Sequence, residues 1–184
     1  MLKIKELLKK IGWLKSCVVA TREMYFKALT VISPKLNTKA RYKYLFKEKL
    51  DLDNPVTHNQ KILWLKLNKY MNDPLVIQCA DKVAVREYVK ECGCEEILVD
   101  VIAIYNSAEE IDWEALPNQF AMKWNFGAGK NIICTDKSAM NKQEVIKKMK
   151  KWGKEKAWLS HSEMQYKYIP RKIICEKLVN GEES

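Results

Sequence analysis

The sequence lacks the features that mark several classes of protein. Its 184 residues contain only six glycines and five prolines, while 47% of them are hydrophobic. This composition excludes collagen-like, low-complexity and intrinsically disordered chains, and the length suits one domain or one domain with an appendage. Lysines interrupt every apolar run, so no segment approaches the roughly 20 residues that span a bilayer. The first residues also lack the apolar core and the small-residue cleavage site of a secretory signal peptide.

Nothing in the cysteine pattern indicates a disulfide scaffold or a metal centre. The six cysteines have no regular spacing and stand in apolar surroundings, so we expect reduced, buried thiols in a cytoplasmic protein. They are Cys17, Cys79, Cys92, Cys94, Cys134 and Cys175. The run Cys92-Gly93-Cys94 is one residue shorter than a Cys-x-x-Cys motif. Without a second cysteine pair or clustered histidines, no zinc tetrahedron could be completed there.

The positive charge is concentrated in the first 50 residues. The formal net charge is +10, and residues 1–50 hold 13 basic and 3 acidic residues, whereas residues 51–184 hold 20 of each. Three interpretations remain open: the basic region binds an anionic membrane surface, it meets an acidic cell-surface polymer, or it is a packed helix with a solvated face. Residues 39–47 alternate lysines with aromatics, but a packed helix shows the same pattern, so we do not expect nucleic acid as a partner.

Helical signals dominate the first half of the chain. The apolar spacing predicts a helix over residues 1–33 that ends at Pro34. Thr57 and Gln60 fit a capping box that opens the next helix, and Asp73-Pro74 fits a cap followed by a first-turn proline. A further helix is predicted over residues 82–91, stopped by Gly93.

Strand signals begin near residue 97. Strands are predicted over residues 97–105, 119–124, 132–135 and 171–179, with a lysine-rich helix over 141–158. The second and third strands form a hairpin. This order predicts an α+β fold. We divide it into a basic helical region (1–50), a helical leader (51–95) and a subdomain of hairpin, helix and strand (96–184).

The hairpin carries the strongest candidate for a binding site. Lys123 lies near the end of a strand, and a small-residue loop follows it, consisting of Gly127, Ala128 and Gly129. Glycines let backbone amides approach phosphate oxygens, and an ammonium supplies a point charge. The loop is not a Walker A motif, because Asn131 follows Gly129-Lys130 where Ser or Thr is required. An ordinary glycine-bearing hairpin turn is the alternative interpretation.

Further segments occur in a fixed order around this hairpin. Asp81–Val89 precedes it, Leu116–Lys123 enters it, and Ile173–Gly181 follows; Asn54–Leu67 lies ahead of all three. As an ordered set over about residues 40–180, they resemble the ATP-grasp superfamily. The closest resemblance is to its TupA-like members, the teichuronopeptide-biosynthesis type.

The resemblance implies ATP as a cofactor and assigns its contacts. Lys123 and Lys82 would meet the phosphates, with Arg86 assisting. The phosphate-covering loop would consist of Gly127, Ala128 and Gly129. The hinge at the adenine edge would consist of Glu176, Lys177 and Leu178. Alternatively, Lys82 and Arg86 belong to a solvated helix face, and Glu176 is a strand-edge charge.

The resemblance also implies a reaction. Such enzymes use ATP and Mg²⁺ to form an acyl phosphate from a carboxylate, which an amine then displaces. Their metal ligands follow the hinge, just beyond which this sequence ends at Ser184. We therefore expect a truncated or split member, or a fragment, with no ligase activity of its own.

The expected role is in cell-surface polysaccharide or teichuronopeptide synthesis, either free in the cytoplasm or at the inner membrane face. Two alternatives stay open. One is a glycosyltransferase-type protein of capsule synthesis, although the chain has no Asp-x-Asp motif. The other is a non-catalytic nucleotide-binding remnant.

Overall fold

A computed structural model describes the backbone of residues 2–179 and the side chains of residues 14–179. Helices precede and flank an antiparallel sheet, which confirms the α+β class. Two compact units share the chain. The first comprises the described residues up to Met71 together with Trp158–Met164; the second comprises Asn72–Ala157 and the described residues from Gln165. The functional division at residues 50 and 95 stays a prediction.

The first unit is helical. Its elements are α1 (Leu2–Ile32), α2 (Pro34–Phe46), α3 (His58–Leu65), a π-helical turn (Lys66–Tyr70) and α7 (Trp158–His161). The N-terminal helix is thus confirmed, and Pro34 occupies the first turn of α2, where its missing N–H needs no partner. The capping box is confirmed as well. The Thr57 hydroxyl accepts from the Gln60 amide at 3.3 Å, and the Gln60 side chain accepts from the Thr57 amide at 3.0 Å.

A buried polar network joins α7 to the rest of this unit. Asn37 of α2 is fully buried and donates from Nδ2 to the Thr30 hydroxyl of α1 at 2.7 Å. Thr30 Oγ1 donates to the carbonyl of Leu159 at 2.6 Å and lies 3.0 Å from Ser162 Oγ. Because these groups are withdrawn from water, the segment 158–164 adds partners to those that Thr30 and Asn37 already have in α1 and α2.

The second unit contains the sheet. Its elements are α4 (Pro74–Ala80), α5 (Val85–Glu91), β1 (Val101–Tyr105), β2 (Phe120–Trp124), β3 (Asn131–Cys134), α6 (Lys142–Gly153) and β4 (Ile173–Glu176). The strands are antiparallel in the order β1-β4-β2-β3. The β2–β3 hairpin is confirmed, and so is the cap at Asp73, whose carboxylate accepts from the Leu75 amide at 2.9 Å.

Several predicted boundaries were wrong. Helix α5 begins at Val85 rather than at residue 82, because the Arg86 and Glu87 amides donate to carbonyls three residues back, Val83 and Ala84, instead of four. Strands β1 and β4 are shorter than predicted. The lysine-rich helix stops at Gly153, where the glycine lies against the ring of Trp124.

The core lies on one face of the sheet. Phe120, Met122 and Trp124 alternate along β2 and are buried, as the period of a strand requires. Val145 and Met149 of α6 pack against them in one apolar cluster. The intervening residue Lys123 therefore points to the opposite face.

The six cysteines form no disulfide, but their burial was predicted incorrectly in part. Cys134 and Cys175 are buried, whereas Cys79 and Cys92 are exposed. Burial raises the pKa of the Cys175 thiol to about 12. Within the part of the chain that the structure describes, no helix combines the length and hydropathy that crossing a membrane requires.

Candidate functional site

A buried carboxylate between two cations forms the centre of the site. Lys123 on β2 pairs with Ile174 on β4, and Glu176 lies two residues further along β4 on the same face of the sheet. This diagonal placement lets the Glu176 carboxylate form an ion pair with the Lys123 ammonium. Its other oxygen lies 3.9 Å from the guanidinium of Arg86 on α5. Glu176 is only 7% exposed, so the two cations compensate its carboxylate for the water that it has lost on burial.

Lys82 brings another positive charge close to this pair. Its Nζ donates to the carbonyl oxygen of Gly127 at 2.7 Å, and its backbone amide donates to the Asn125 carbonyl at 2.9 Å. Burial lowers the pKa of Lys82, and the positive charge of Lys123 lowers it further. The ammonium groups of Lys82 and Lys123 thus repel each other in a partly desolvated place.

Asn125 fixes the positions of these elements, and the sequence analysis did not single it out. Its side chain is fully buried and donates to the Asp81 carboxylate and to the Pro170 carbonyl, each at 2.8 Å. Its Oδ1 accepts from the Lys172 amide at 2.9 Å. The side chain therefore ties the turn before α5 to the segment that leads into β4.

The glycine loop is a defined turn. Gly127 and Gly129 have φ values of +66° and +74°, which residues with a Cβ rarely adopt. Ala128 between them is exposed. Lys130 closes the loop by an ion pair of 3.0 Å with Glu155. Lys130 was also missed as a site residue. Only its place beside Gly129 could have indicated it.

The predicted hinge continues from the end of β4. The Lys177 amide donates to the carbonyl oxygen of Asp100 at 2.9 Å, so the chain stays beside the approach to β1. Lys177 is exposed and Leu178 is half-buried. The structure thus gathers Lys82, Arg86, Lys123 and Glu176, connects Gly127 to them through Lys82, and places Lys177 and Leu178 next along the chain.

The charges of this site suit a polyanion. Four cations (Lys82, Arg86, Lys123 and Lys130) face three carboxylates (Asp81, Glu155 and Glu176). An added phosphate would relieve the repulsion between Lys82 and Lys123, so ATP fits the residues present. Among the described side chains, no three His, Cys, Asp or Glu groups gather as a metal site.

One of three comparisons with known proteins identifies a family. A family model described as TupA-like ATPgrasp matches residues 60–184, a range that includes every predicted site residue. Searches of curated proteins and of solved structures returned no match.

Proposed function

Because this chain belongs to the TupA-like ATP-grasp family, we propose that its second unit binds ATP, with the triphosphate against Lys82 and Lys123. The observation that supports this most directly is the convergence of Lys82, Arg86 and Lys123 around the buried Glu176. Each cation here has an acceptor that a phosphate oxygen could replace or join.

ATP binding would change the hydrogen-bond partners of Lys82 and Lys123. A phosphate oxygen replaces the Gly127 carbonyl at Lys82, and the released loop brings its amides toward the phosphates. Lys123 keeps Glu176 as a partner and turns its remaining N–H donors to the ligand. Both new contacts join two charged groups, so each is a charge-assisted hydrogen bond between ions of opposite sign.

The segment after Glu176 is proposed to hold the base. Backbone groups of Lys177 and Leu178 would meet the adenine edge, since backbone donors and acceptors can match both edges of an adenine. The hydrogen bond from the Lys177 amide to Asp100 fixes the direction of this segment.

The reaction that we propose for the family fold is carboxylate–amine ligation in cell-surface polysaccharide or teichuronopeptide synthesis. A carboxylate oxygen would bond to the γ-phosphorus as ADP leaves, and an amine would then displace phosphate from the acyl carbon. The part of this chain in that reaction is to hold and orient the triphosphate. Mg²⁺ generally accompanies ATP in such enzymes, but the described side chains contain no cluster for it, so no step is assigned to the metal.

Titration calorimetry with ATP tests the binding proposal. We expect Lys123→Met to weaken ATP binding at least tenfold, with Lys82→Met close behind. Lys147→Met, which changes an exposed lysine of α6, is the matched control and should bind ATP as the native chain does. Failure of the native chain to bind ATP, or equal binding by Lys123→Met, would contradict the proposal. Release of ADP in the presence of Mg²⁺ would separate ligation from binding alone.

We also propose that the first unit docks on an anionic membrane surface. Its helices expose apolar residues among lysines: Val18 is 65% exposed and Ile32 71% exposed, with Lys15 and Lys35 nearby in sequence. Each lysine near an anionic surface contributes about 1 kcal/mol. Sedimentation with vesicles containing phosphatidylglycerol at low salt should recover the protein. Binding to an acidic polysaccharide but not to vesicles would assign the charge to a polymer instead.

A further inference from the structure

An open groove of about 430 Å³ lies between α1 and α2 in the first unit. Helix α1 contributes Tyr25 and Leu29, one turn apart, to its apolar walls. Helix α2 contributes Leu36 and Ala40, and Leu50 from the segment after α2 completes the apolar lining. Tyr25 is 56% exposed and Leu36 is 47% exposed, so the apolar walls reach the opening of the groove. Its volume falls within the range of about 300–1,000 Å³ that is typical of small-molecule sites.

Three lysines line the same groove: Lys39, Lys43 and Lys49. Lys39 and Lys43 are four residues apart on α2 and therefore lie on one face of that helix. Lys43 and Lys49 are exposed, so a ligand at the opening can reach them from solvent. Among the described residues that line the groove, none is acidic. The lining therefore attracts an anion at any of these lysines, without requiring the three ammonium groups to meet at one point.

Asp51 is an acidic neighbour of these lysines. Hydrogen bonds from the amides of Asn54 and Asp53 are the main cause that lowers the pKa of the Asp51 carboxyl. The charges of Lys39 and Lys49 lower it further. This carboxylate is fully exposed and stands against three lysines, so the charge at the groove stays positive.

The groove borders the face of α1 that is proposed to dock on a membrane. Val18, Tyr25 and Ile32 follow one another at seven-residue steps, and each such step turns the helix face by only about 20°. Val18 and Ile32 are exposed apolar residues of this face, and Tyr25 between them is also a wall of the groove. A membrane that covers Val18 and Ile32 therefore also meets the edge of the groove.

We propose that this groove takes up one acyl chain of an anionic phospholipid, with the lipid phosphate against the lysines. The inference rests on the membrane docking proposed above and adds a site for a single lipid to it. The apolar walls replace the contacts that the chain has in the bilayer. Lysine and phosphate form charge-assisted hydrogen bonds, so the site selects an anionic head group.

Titration calorimetry with octanoyl lysophosphatidylglycerol, below its micelle concentration, tests the groove apart from the membrane. This probe carries one chain and one anionic head group, and we expect the native chain to bind it. Octanoyl lysophosphatidylcholine has the same chain but a head group without net charge, and glycerophosphoglycerol has the head group without the chain. Each of these two should bind at least tenfold more weakly.

Two variants change the apolar walls. Leu36→Glu places a carboxylate at the exposed edge of the groove, and Ala40→Phe fills the space between the helices with a ring. Each should weaken binding of the anionic probe at least tenfold. Because Leu36 is nearly half exposed, Leu36→Glu tests the proposal even if Ala40→Phe does not fold.

A matched pair of double variants tests the charges. Lys43→Gln combined with Lys49→Gln should weaken binding of the anionic probe at least tenfold. Lys61→Gln combined with Lys69→Gln removes the same charge from exposed positions of the first unit that do not line the groove, and should bind the probe unchanged.

Sedimentation with vesicles containing phosphatidylglycerol separates failure of the groove from failure of the docking. Recovery of the native chain with vesicles, without binding of the monomeric probe, would overturn the groove site and leave the docking proposal standing. Loss of both would overturn both. Unchanged probe binding by Leu36→Glu, or equal binding of the phosphatidylcholine analogue, would also overturn the groove site.

Discussion

The ammonium of Lys82 donates a 2.7 Å hydrogen bond to the carbonyl oxygen of Gly127. The Lys82 side chain therefore holds the glycine loop at Gly127 and also supplies a positive charge that would attract a phosphate. A ligand at Lys82 competes with the loop for the same donor, so occupancy of the site and freedom of the loop are coupled.

The first prediction concerns this coupling. Replacing Lys82 by Met removes the donor that holds Gly127, and we expect amide hydrogen exchange over residues 127–130 to rise severalfold. Exchange in α6 should not change. Lys147→Met provides the control for loss of a lysine, and equal protection of the loop in both variants would show that Lys82 does not hold it.

The buried carboxylate should have opposite effects on stability and on anion binding. Glu176→Gln leaves Lys123 and Arg86 facing a neutral amide, and we expect unfolding in urea to require about 1–3 kcal/mol less free energy. The lower end of this range, about 1 kcal/mol, allows for the partial exposure of Lys123, which weakens its ion pair with Glu176. The same change removes a negative charge from the site, so ATP should bind more tightly. Glu114→Gln, at an exposed ion pair, should change neither property.

Gly153 is expected to tolerate no side chain. A Cβ at this position would lie 2.5 Å from Cζ2 of Trp124, whose indole N–H donates to the Met149 carbonyl at 3.0 Å. The ring cannot move without breaking this hydrogen bond, so Gly153→Ala should cost about 1–3 kcal/mol of unfolding free energy. Gly93→Ala is the comparison, because its left-handed backbone is strained by a Cβ but no atom lies within 4 Å. Because the backbone of Gly153 is not left-handed, an unchanged stability of Gly153→Ala would show that the contact with Trp124 contributes nothing.

Lys66 should make stability depend on alkaline pH. Burial lowers its pKa from 10.5 in the unfolded chain to about 8 in the folded state; the charge of Glu163 opposes this shift, and that of Arg41 adds to it. Between these values the unfolded state binds more protons, so the contribution of Lys66 to unfolding free energy rises with pH. Urea unfolding at pH 7 to 10 should show the unfolding free energy of the native chain rising relative to that of Lys66→Met as the pH increases. The difference between the native chain and Lys69→Met should stay constant.

Local rules predicted the features that depend on a few neighbouring residues. Thr57 with Gln60 and Asp73 with Pro74 form the expected caps, because each cap uses donors within three residues. The alternation from Phe120 to Trp124 revealed which side of β2 is buried. The hairpin was predicted from the two glycines in the loop between β2 and β3.

Features that depend on distant contacts could not be predicted in this way. The Asp81 carboxylate accepts from the side chain of Asn125, 44 residues away, as well as from the neighbouring Val83 amide. Asn125 itself reads as an ordinary loop residue, and nothing local shows that it is fully buried. Likewise, the convergence of Arg86 with Glu176 depends on how α5 is placed beside the sheet, which no local pattern specifies.

The discontinuity of the first unit has a consequence for how the protein is made. Thr30 and Asn37 bond to each other within α1 and α2, but their further partners in residues 158–164 are synthesised only after residues 72–157. At about 5–20 residues per second, the ribosome needs several seconds after Met71 to deliver them. The helices of the first unit therefore emerge early but complete their interior only after residues 72–157 of the second unit have been synthesised. A chain that ended at residue 71 would keep the bonds from Asn37 to Phe26 and Thr30 but would lack those from Thr30 to Leu159 and Ser162.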